Sequence, residues 1–123
     1  MHYKDTYKEI SLTSEVLGAS PWKQIQLLLD KMKRCIKEAC TAIRNKNIEI
    51  KVENITRAHD IVIYLRDCLD FEANRELSDK LDGIYRHLGH LLFQANAQND
   101  TLSLEEALQI MDNLLNWWSK VET

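Results

Sequence analysis

A chain of 123 residues, 45% hydrophobic and 28% charged, is long enough for one compact domain with a real core and too short for two. Its formal net charge of -3 comes from 16 basic and 19 acidic residues, so it lacks the basic excess typical of nucleic-acid-binding proteins. Wholly apolar runs are short, with three residues at 27–29 and 91–93 and five at 61–65. A membrane span needs roughly 20 such residues, so we expect no membrane insertion.

Residues 1–18 show only weak apolar periodicity, and we expect them to form a short N-terminal arm or helix. This segment lacks the apolar stretch of a secretory signal peptide. The three cysteines, Cys35, Cys40 and Cys68, have no C-x-x-C spacing, which favours reduced thiols that act as small core residues over disulfides or a zinc site. Both observations predict a cytoplasmic protein.

Ser20 and Pro21 provide a strong start signal for the first long helix. Serine can cap the free amide donors, and proline at the first helical position has no donor to leave unpaired. Apolar residues then recur at spacings of three and four over residues 22–43, as expected for an amphipathic helix. Asn45 and Asn47 interrupt this pattern.

Three further amphipathic patterns follow along the chain. The second covers residues 48–69 and ends near 71–74, and the third covers residues 77–95. The fourth begins at a capping box, in which Ser103 and Glu106 would satisfy each other's amide donors. It continues to the two adjacent tryptophans near the C-terminus.

Four long helices joined by short polar segments must alternate in direction, which favours an antiparallel bundle. We therefore predict an all-α fold, an antiparallel four-helix bundle over residues 20–118 preceded by the arm at residues 1–18. We treat residues 1–123 as a single domain.

The second and third helices carry more apolar surface than the single stripe that a bundle helix normally presents to its core. On the third helix Tyr85 and Leu92 form a second row beside the core row, with Leu88 shared between them. On the second helix Ile61 and Tyr64 do the same. This excess predicts either a thick core sealed by the N-terminal arm or an apolar groove for a partner. Periodicity alone leaves both alternatives open.

Gly83 and Gly89 lie inside the third helix. Each costs roughly 1 kcal/mol relative to alanine in a helix interior. A close approach of another backbone would compensate for this cost, and we expect one at these positions.

No constellation of catalytic or ligand-binding residues stands out. His87 and His90 share a helical face, but the chain has no Glu-x-x-His motif, which argues against a di-iron bundle. Three scattered glycines provide neither a phosphate-binding loop nor a Gly-x-Ser-x-Gly nucleophile motif. Trp117 and Trp118 are adjacent, so one ring should enter the core while the other covers its rim. We predict no enzymatic activity, no cofactor and no metal site.

Several short motifs follow one another along the chain in a distinctive order. They are Ala19-Ser20-Pro21 with Leu28 and Asp30, Leu69-Asp70-Phe71-Glu72, then Glu76, Leu81 and Tyr85, and finally Ala95-Asn96 and Asn99-Asp100 before a leucine-rich helix that closes on tryptophan. In this order and spacing, over nearly the whole chain, they resemble the FliS family of flagellin-specific export chaperones. The chain departs from that pattern at Asn74-Arg75, where the family usually has paired glycines.

The resemblance implies a cytosolic helical bundle that binds the disordered C-terminal segment of flagellin, prevents its premature polymerisation and aids type III export. It implies no nucleotide site in the chaperone. Further partners compatible with such a role are components of the flagellar export gate or a co-chaperone.

On this basis we expect the client to contact six apolar residues, two asparagines and one tyrosine of the arm. They are Leu28, Leu81, Ile84, Tyr85, Leu88, Leu92, Asn96, Asn99 and Tyr7. The asparagines would hydrogen-bond the client backbone, and the arm would cover the groove until the client displaces it. On general grounds each apolar residue is also a candidate for the core.

The main alternative is a helical-bundle adaptor that forms a homodimer through the same surplus row and has no unfolded client. A tight homodimer that buries Tyr85 and Leu92 would favour this alternative.

Overall fold

The computed structural model describes residues 20–121, which form four α-helices joined by short turns. They are α1 (Pro21–Arg44), α2 (Ile48–Asp67), α3 (Arg75–Gln98) and α4 (Thr101–Ser119). α1 and α3 each pack against both α2 and α4. Hydrogen bonds and ion pairs join the end of α1 to the start of α4 and the start of α2 to the end of α3, so neighbouring helices run antiparallel. The predicted all-α four-helix bundle is confirmed, and the predicted N-terminal arm lies outside the described residues.

Polar side chains define where three of the helices begin. Ser20, Asn47 and Asn74 each accept a hydrogen bond from the backbone amide three residues further on, at 3.2, 3.2 and 3.1 Å. Such caps satisfy amide donors that have no partner within the first helical turn. The predicted start of α1 is therefore confirmed, with Pro21 at its first position.

The predicted start of the fourth helix at a capping box is wrong. α4 begins at Thr101, and its cap is Asp100, whose Oδ1 accepts from the amides of Leu102 at 3.0 Å and Ser103 at 3.4 Å. The Ser103 hydroxyl donates to Asp100 Oδ2 at 2.8 Å. This hydroxyl and the two amides lower the pKa of the Asp100 carboxyl. A carboxylate suits the positive end of a helix, so the cap lies three residues before the predicted serine.

The second helix is shorter than its apolar pattern predicts, because it ends at Asp67 rather than near residues 71–74. Asp70 then organises a turn in which its Oδ1 accepts from the amides of Glu72 at 3.1 Å and Ala73 at 3.0 Å. Side-chain hydrogen bonds of this kind compete with a continuing helix.

The core lies along the centre of the bundle and receives side chains from all four helices. Cys35 and Cys40 are buried there, as predicted, and burial raises the pKa of the Cys35 thiol. Cys68 lies at the end of α2 and is exposed, so its assignment to the core was wrong. None of the four described helices has the length and apolar character needed to cross a membrane.

The two ends of the bundle are held by different contacts. At the Asn99 end, the nearly buried Lys51 of α2 donates to the Asn96 carbonyl oxygen at 3.0 Å and to Asn99 Oδ1 at 2.7 Å. At the Trp118 end, the indoles of Trp22 and Trp118 stack with ring centroids 6.2 Å apart.

Candidate functional site

An open apolar groove of about 470 Å³ runs along the seam between α3 and α4, towards the Trp118 end. Each of the two helices contributes four lining residues. The lining residues are Leu77, Lys80, Leu81, Ile84, Ile110, Asn113, Leu114 and Trp117. Six of the eight are apolar, so the groove presents a hydrophobic surface to solvent.

Helical spacing places these residues on facing sides of α3 and α4. Positions 77, 81 and 84 on α3 recur at intervals of four and three, and positions 110, 114 and 117 on α4 do the same, so each set lies on one helical face. Leu114 forms the floor, with 5% of its surface exposed. Leu77 and Trp117 form the outer edge near the Trp118 end, each 37% exposed.

The polar groups of the groove are few. Lys80 is the one charged residue among the described lining residues, and Asn113 is the one amide. Lys80 Nζ lies 3.6 Å from Glu76 Oε1, in an exposed pair one turn apart on the same helix. Exposed pairs of this kind contribute little, so the Lys80 ammonium remains available to a charged partner.

A polar bridge crosses the same seam one turn beyond the groove, towards the Asn99 end. His87 Nε2 of α3 lies 2.7 Å from Glu106 Oε2 of α4. The partner comes from the neighbouring helix, and only the packing of α3 against α4 brings the two together.

Two of the predicted client-binding residues, Leu81 and Ile84, line this groove. Four others do not: Leu28, Tyr85, Leu88 and Leu92 are buried in the core, with 5% exposure or less. Their placement in an accessible groove is corrected for a physical reason. α1, which carries Leu28, and α3, which carries the other three, each pack against both α2 and α4, so each buries apolar residues towards two neighbours rather than one. Burial also raises the pKa of the Tyr85 hydroxyl to about 12.

The remaining predicted residues lie apart from the groove. Asn96 and Asn99 are exposed at the Asn99 end of the bundle. Asn99 ends α3 in the left-handed conformation with φ of 52°, and its side-chain oxygen accepts from Lys51. The structure thus gives Asn99 a role in ending a helix. Tyr7 lies outside the described residues.

Sequence reasoning assigned no client contact to α4, although a signal was present. Ile110 and Trp117 are seven residues apart and form an apolar row beside the core row that ends at Trp118. A second row on α4 facing Leu77, Leu81 and Ile84 of α3 is the pattern that an apolar seam requires. Which of the surplus rows stays uncovered depends on which helices are neighbours, and this follows only from the packing.

Two other cavities of the described chain, each about 380 Å³, are more polar than the α3–α4 groove. Polar or charged residues make up four of the seven that line the one beside Lys51 and four of the six that line the one beside Asp82. Within residues 20–121, no three His, Cys, Asp or Glu side chains are grouped so that they could hold a metal ion. The apolar groove is therefore the candidate site for a partner.

Comparison with known proteins adds to this geometry. Residues 3–123 match the family described as flagellar protein FliS. The chain is 30% identical over 115 residues to the flagellar secretion chaperone FliS of Vibrio cholerae, covering 94% of this chain and 85% of that protein. It is 34% identical over 102 residues to the protein of the same name from Campylobacter jejuni, covering 83% and 80%. For that of Salmonella typhimurium the identity is 28% over 116 residues, covering 94% and 86%. The chain therefore belongs to FliS, a family of flagellar secretion chaperones rather than of enzymes.

Proposed function

We propose that this protein binds the disordered C-terminal segment of flagellin in the cytoplasm, prevents its premature polymerisation and aids its type III export. The observation that carries the proposal is the open apolar groove between α3 and α4, in a chain that belongs to a family of flagellar secretion chaperones. Components of the export gate or a co-chaperone are further partners compatible with this role.

Physical chemistry explains why such a client needs a partner. A segment that folds only in an assembled filament exposes apolar side chains while it is free, and these favour self-association. An amphipathic helix in the client can bury its apolar face in a hydrophobic groove. Ordering a disordered segment costs several kcal/mol of the gross interaction energy, so the complex remains releasable.

The groove provides the apolar surface that this interaction needs. Leu77 and Trp117, at the outer edge of the groove, keep more than a third of their surface exposed. Complete burial of a leucine side chain stabilises by roughly 1.5–3 kcal/mol. A partner that covers this surface therefore gains free energy that the bundle alone leaves unused.

The test compares two leucine-to-aspartate variants for binding to a flagellin C-terminal peptide by isothermal titration calorimetry. Leu77 lines the groove, whereas Leu102 is 72% exposed at the Asn99 end. Both lie in the first turn of a helix, where an acidic side chain suits the helix dipole, so both variants should fold. We expect L77D to weaken binding at least about tenfold, because a charge replaces a leucine that the client would bury, and L102D to leave it nearly unchanged.

Equal affinity of L77D and the unsubstituted protein would exclude the groove as the binding site. Absence of any binding by the unsubstituted protein would contradict the proposed function itself. Sedimentation of the same samples addresses the alternative of a homodimeric adaptor. That alternative would be favoured by a tight homodimer that binds no flagellin peptide.

A further inference from the structure

The length of the groove limits what it can hold. Its lining residues run from Leu77 to Ile84 on α3 and from Ile110 to Trp117 on α4, which is the same span in opposite directions. At 1.5 Å per residue, seven steps correspond to about 10 Å, or two helical turns. A helix lying along the seam can therefore bury about two turns of its apolar face here.

The bridge between His87 and Glu106 lies beyond one end of the groove, on the same seam. His87 lies three residues beyond Ile84, and Glu106 lies four residues before Ile110, so both occupy the same helical faces as the groove residues. Their 2.7 Å contact joins α3 and α4 directly across the seam. An apolar client side chain that extended past Ile84 would meet these polar groups rather than further hydrophobic surface.

The described lining of the groove also carries charge of one sign only. Lys80 lines it from α3, and none of the other seven described lining residues carries a charge. The exposed Glu76 one turn away neutralises Lys80 only weakly. A client helix that carries an acidic side chain beside its apolar face would form an ion pair at the edge of the groove, where the contact also favours one register over others.

We propose that the α3–α4 groove selects a two-turn amphipathic helix with an acidic residue beside its apolar face, which pairs with Lys80, and that the His87–Glu106 bridge ends the apolar contact. This inference rests on the proposed function, since it specifies the part of the client that enters the groove. It assigns Lys80 a role in specificity and the bridge a role in setting the register.

The test measures affinity of a flagellin C-terminal peptide for two charge-reversal variants. K80E places a negative charge in the groove, whereas K37E makes the same change on the exposed face of α1, which does not contact α3. We expect K80E to weaken binding about fivefold, as an attractive surface pair becomes repulsive, and K37E to change it less than about twofold. In a second series, each acidic residue of the peptide is replaced by lysine in turn. One replacement should restore binding to K80E while weakening binding to the unsubstituted protein.

Extension of the contact is tested with H87L/E106L, which replaces the bridge by apolar side chains. Hydrogen exchange of the bound peptide should then show protection one turn beyond the region protected by the unsubstituted protein. Equal binding by K80E and K37E, or no peptide replacement that restores K80E, would overturn the role of Lys80 while the proposed function stands. Unchanged protection in H87L/E106L would overturn the role of the bridge. If the peptide fails to bind the unsubstituted protein, the proposed function fails first.

Discussion

Asp82 joins two helices through one carboxylate. Its Oδ1 accepts from Arg66 Nε of α2 at 2.9 Å, and its Oδ2 accepts from Arg86 Nε one turn further along α3 at 2.8 Å. The hydrogen bond from Arg66 is the main cause of a lowered pKa for this carboxyl, with Arg86 adding to it. Charge-assisted bonds are stronger than neutral ones, so Asp82 contributes to the packing of α2 against α3.

We expect D82N to lower the free energy of unfolding by about 1 kcal/mol at neutral pH, since the charge is lost from both bonds. Because the pKa of Asp82 is lower in the folded state, its ionised carboxylate stabilises the fold at pH values above 3.8, the ordinary pKa of an aspartate. That contribution disappears as the pH falls through the lowered pKa. Urea titrations at a series of pH values should therefore show a difference in the free energy of unfolding between D82N and the unsubstituted protein, and this difference should become smaller in acid. D79N is the matched control, because Asp79 pairs with the exposed Arg75 of its own helix, at 3.4 Å, and joins no second helix in the described ion pairs. A gap that persists unchanged below the lowered pKa would contradict this account.

Single polar residues also mark the helix ends, and they differ in how well sequence reveals them. Ser20 before Pro21 was predicted as a cap because few other roles suit that pair. Asp100 was missed because Ser103 and Glu106 match a capping box equally well. Asp100 satisfies two amides and the Ser103 hydroxyl together, an arrangement that depends on where α3 has already ended.

At the scale of elements, α3 packs differently from the way its glycines suggest. A close backbone approach was expected at Gly83 and Gly89, and the structure contradicts it. Among residues 20–121, a Cβ atom added at Gly83 would meet nothing within 4 Å, and one at Gly89 would lie 4.0 Å from the His59 ring, which is ordinary contact. Both glycines keep negative φ angles, so no backbone conformation here requires glycine.

Replacement of Gly83 by alanine should therefore stabilise the protein by about 1 kcal/mol, because alanine loses less backbone entropy on folding into a helix. The measurement is the urea midpoint of G83A relative to the unsubstituted protein. G89A serves as a second case and should change stability in the same direction. A lower midpoint for G83A would show that an unrecognised contact occupies this position.

The link between α2 and α3 illustrates a contact that no pattern within one helix could predict. Lys51 lies on α2 but places its ammonium at the last turn of α3, where it binds the Asn96 carbonyl oxygen and the Asn99 side chain. A cation suits the negative end of a helix. Lys51 is nearly buried, and in the sequence it looked like any lysine of a solvated helix face.

At the scale of the whole molecule, Trp22 and Trp118 tie the first described helix to the last. Trp22 Nε1 donates to the Trp118 carbonyl oxygen at 3.2 Å, and Trp118 Nε1 donates to the Trp22 carbonyl oxygen at 3.0 Å. The two rings are nearly parallel, 11° apart. This reciprocal contact joins residues 96 positions apart in the chain and closes the Trp118 end of the bundle beside the groove.

Because the contact joins both ends of the described chain, W22F should destabilise the whole bundle rather than fray one helix. We expect the free energy of unfolding to fall by about 1 kcal/mol because one hydrogen bond is lost. Unfolding should remain a single transition, and the slope of the free energy of unfolding against urea concentration should not change. Circular dichroism in urea provides the measurement. W117F is the matched control, since Trp117 lies at the exposed edge of the groove. It should lower the free energy of unfolding less than W22F does. Equal losses for both variants would argue against a special role for the Trp22–Trp118 pair.

The fold class, the four helices of residues 20–121 and the start of α1 were predictable because each depends on local spacing and capping within a short stretch of chain. The sequence also shows the surplus apolar residues on α2 and α3, but it does not show which of them remain exposed in the folded protein. Tyr85 and Leu92 form a second row beside the core row on a helical wheel, yet α3 buries them between two neighbours. The groove at Leu77, Ile84 and Trp117 exists because α3 and α4 leave part of their facing rows uncovered. Periodicity describes one helix at a time, whereas exposure depends on which helices become neighbours, and only the tertiary structure decides that.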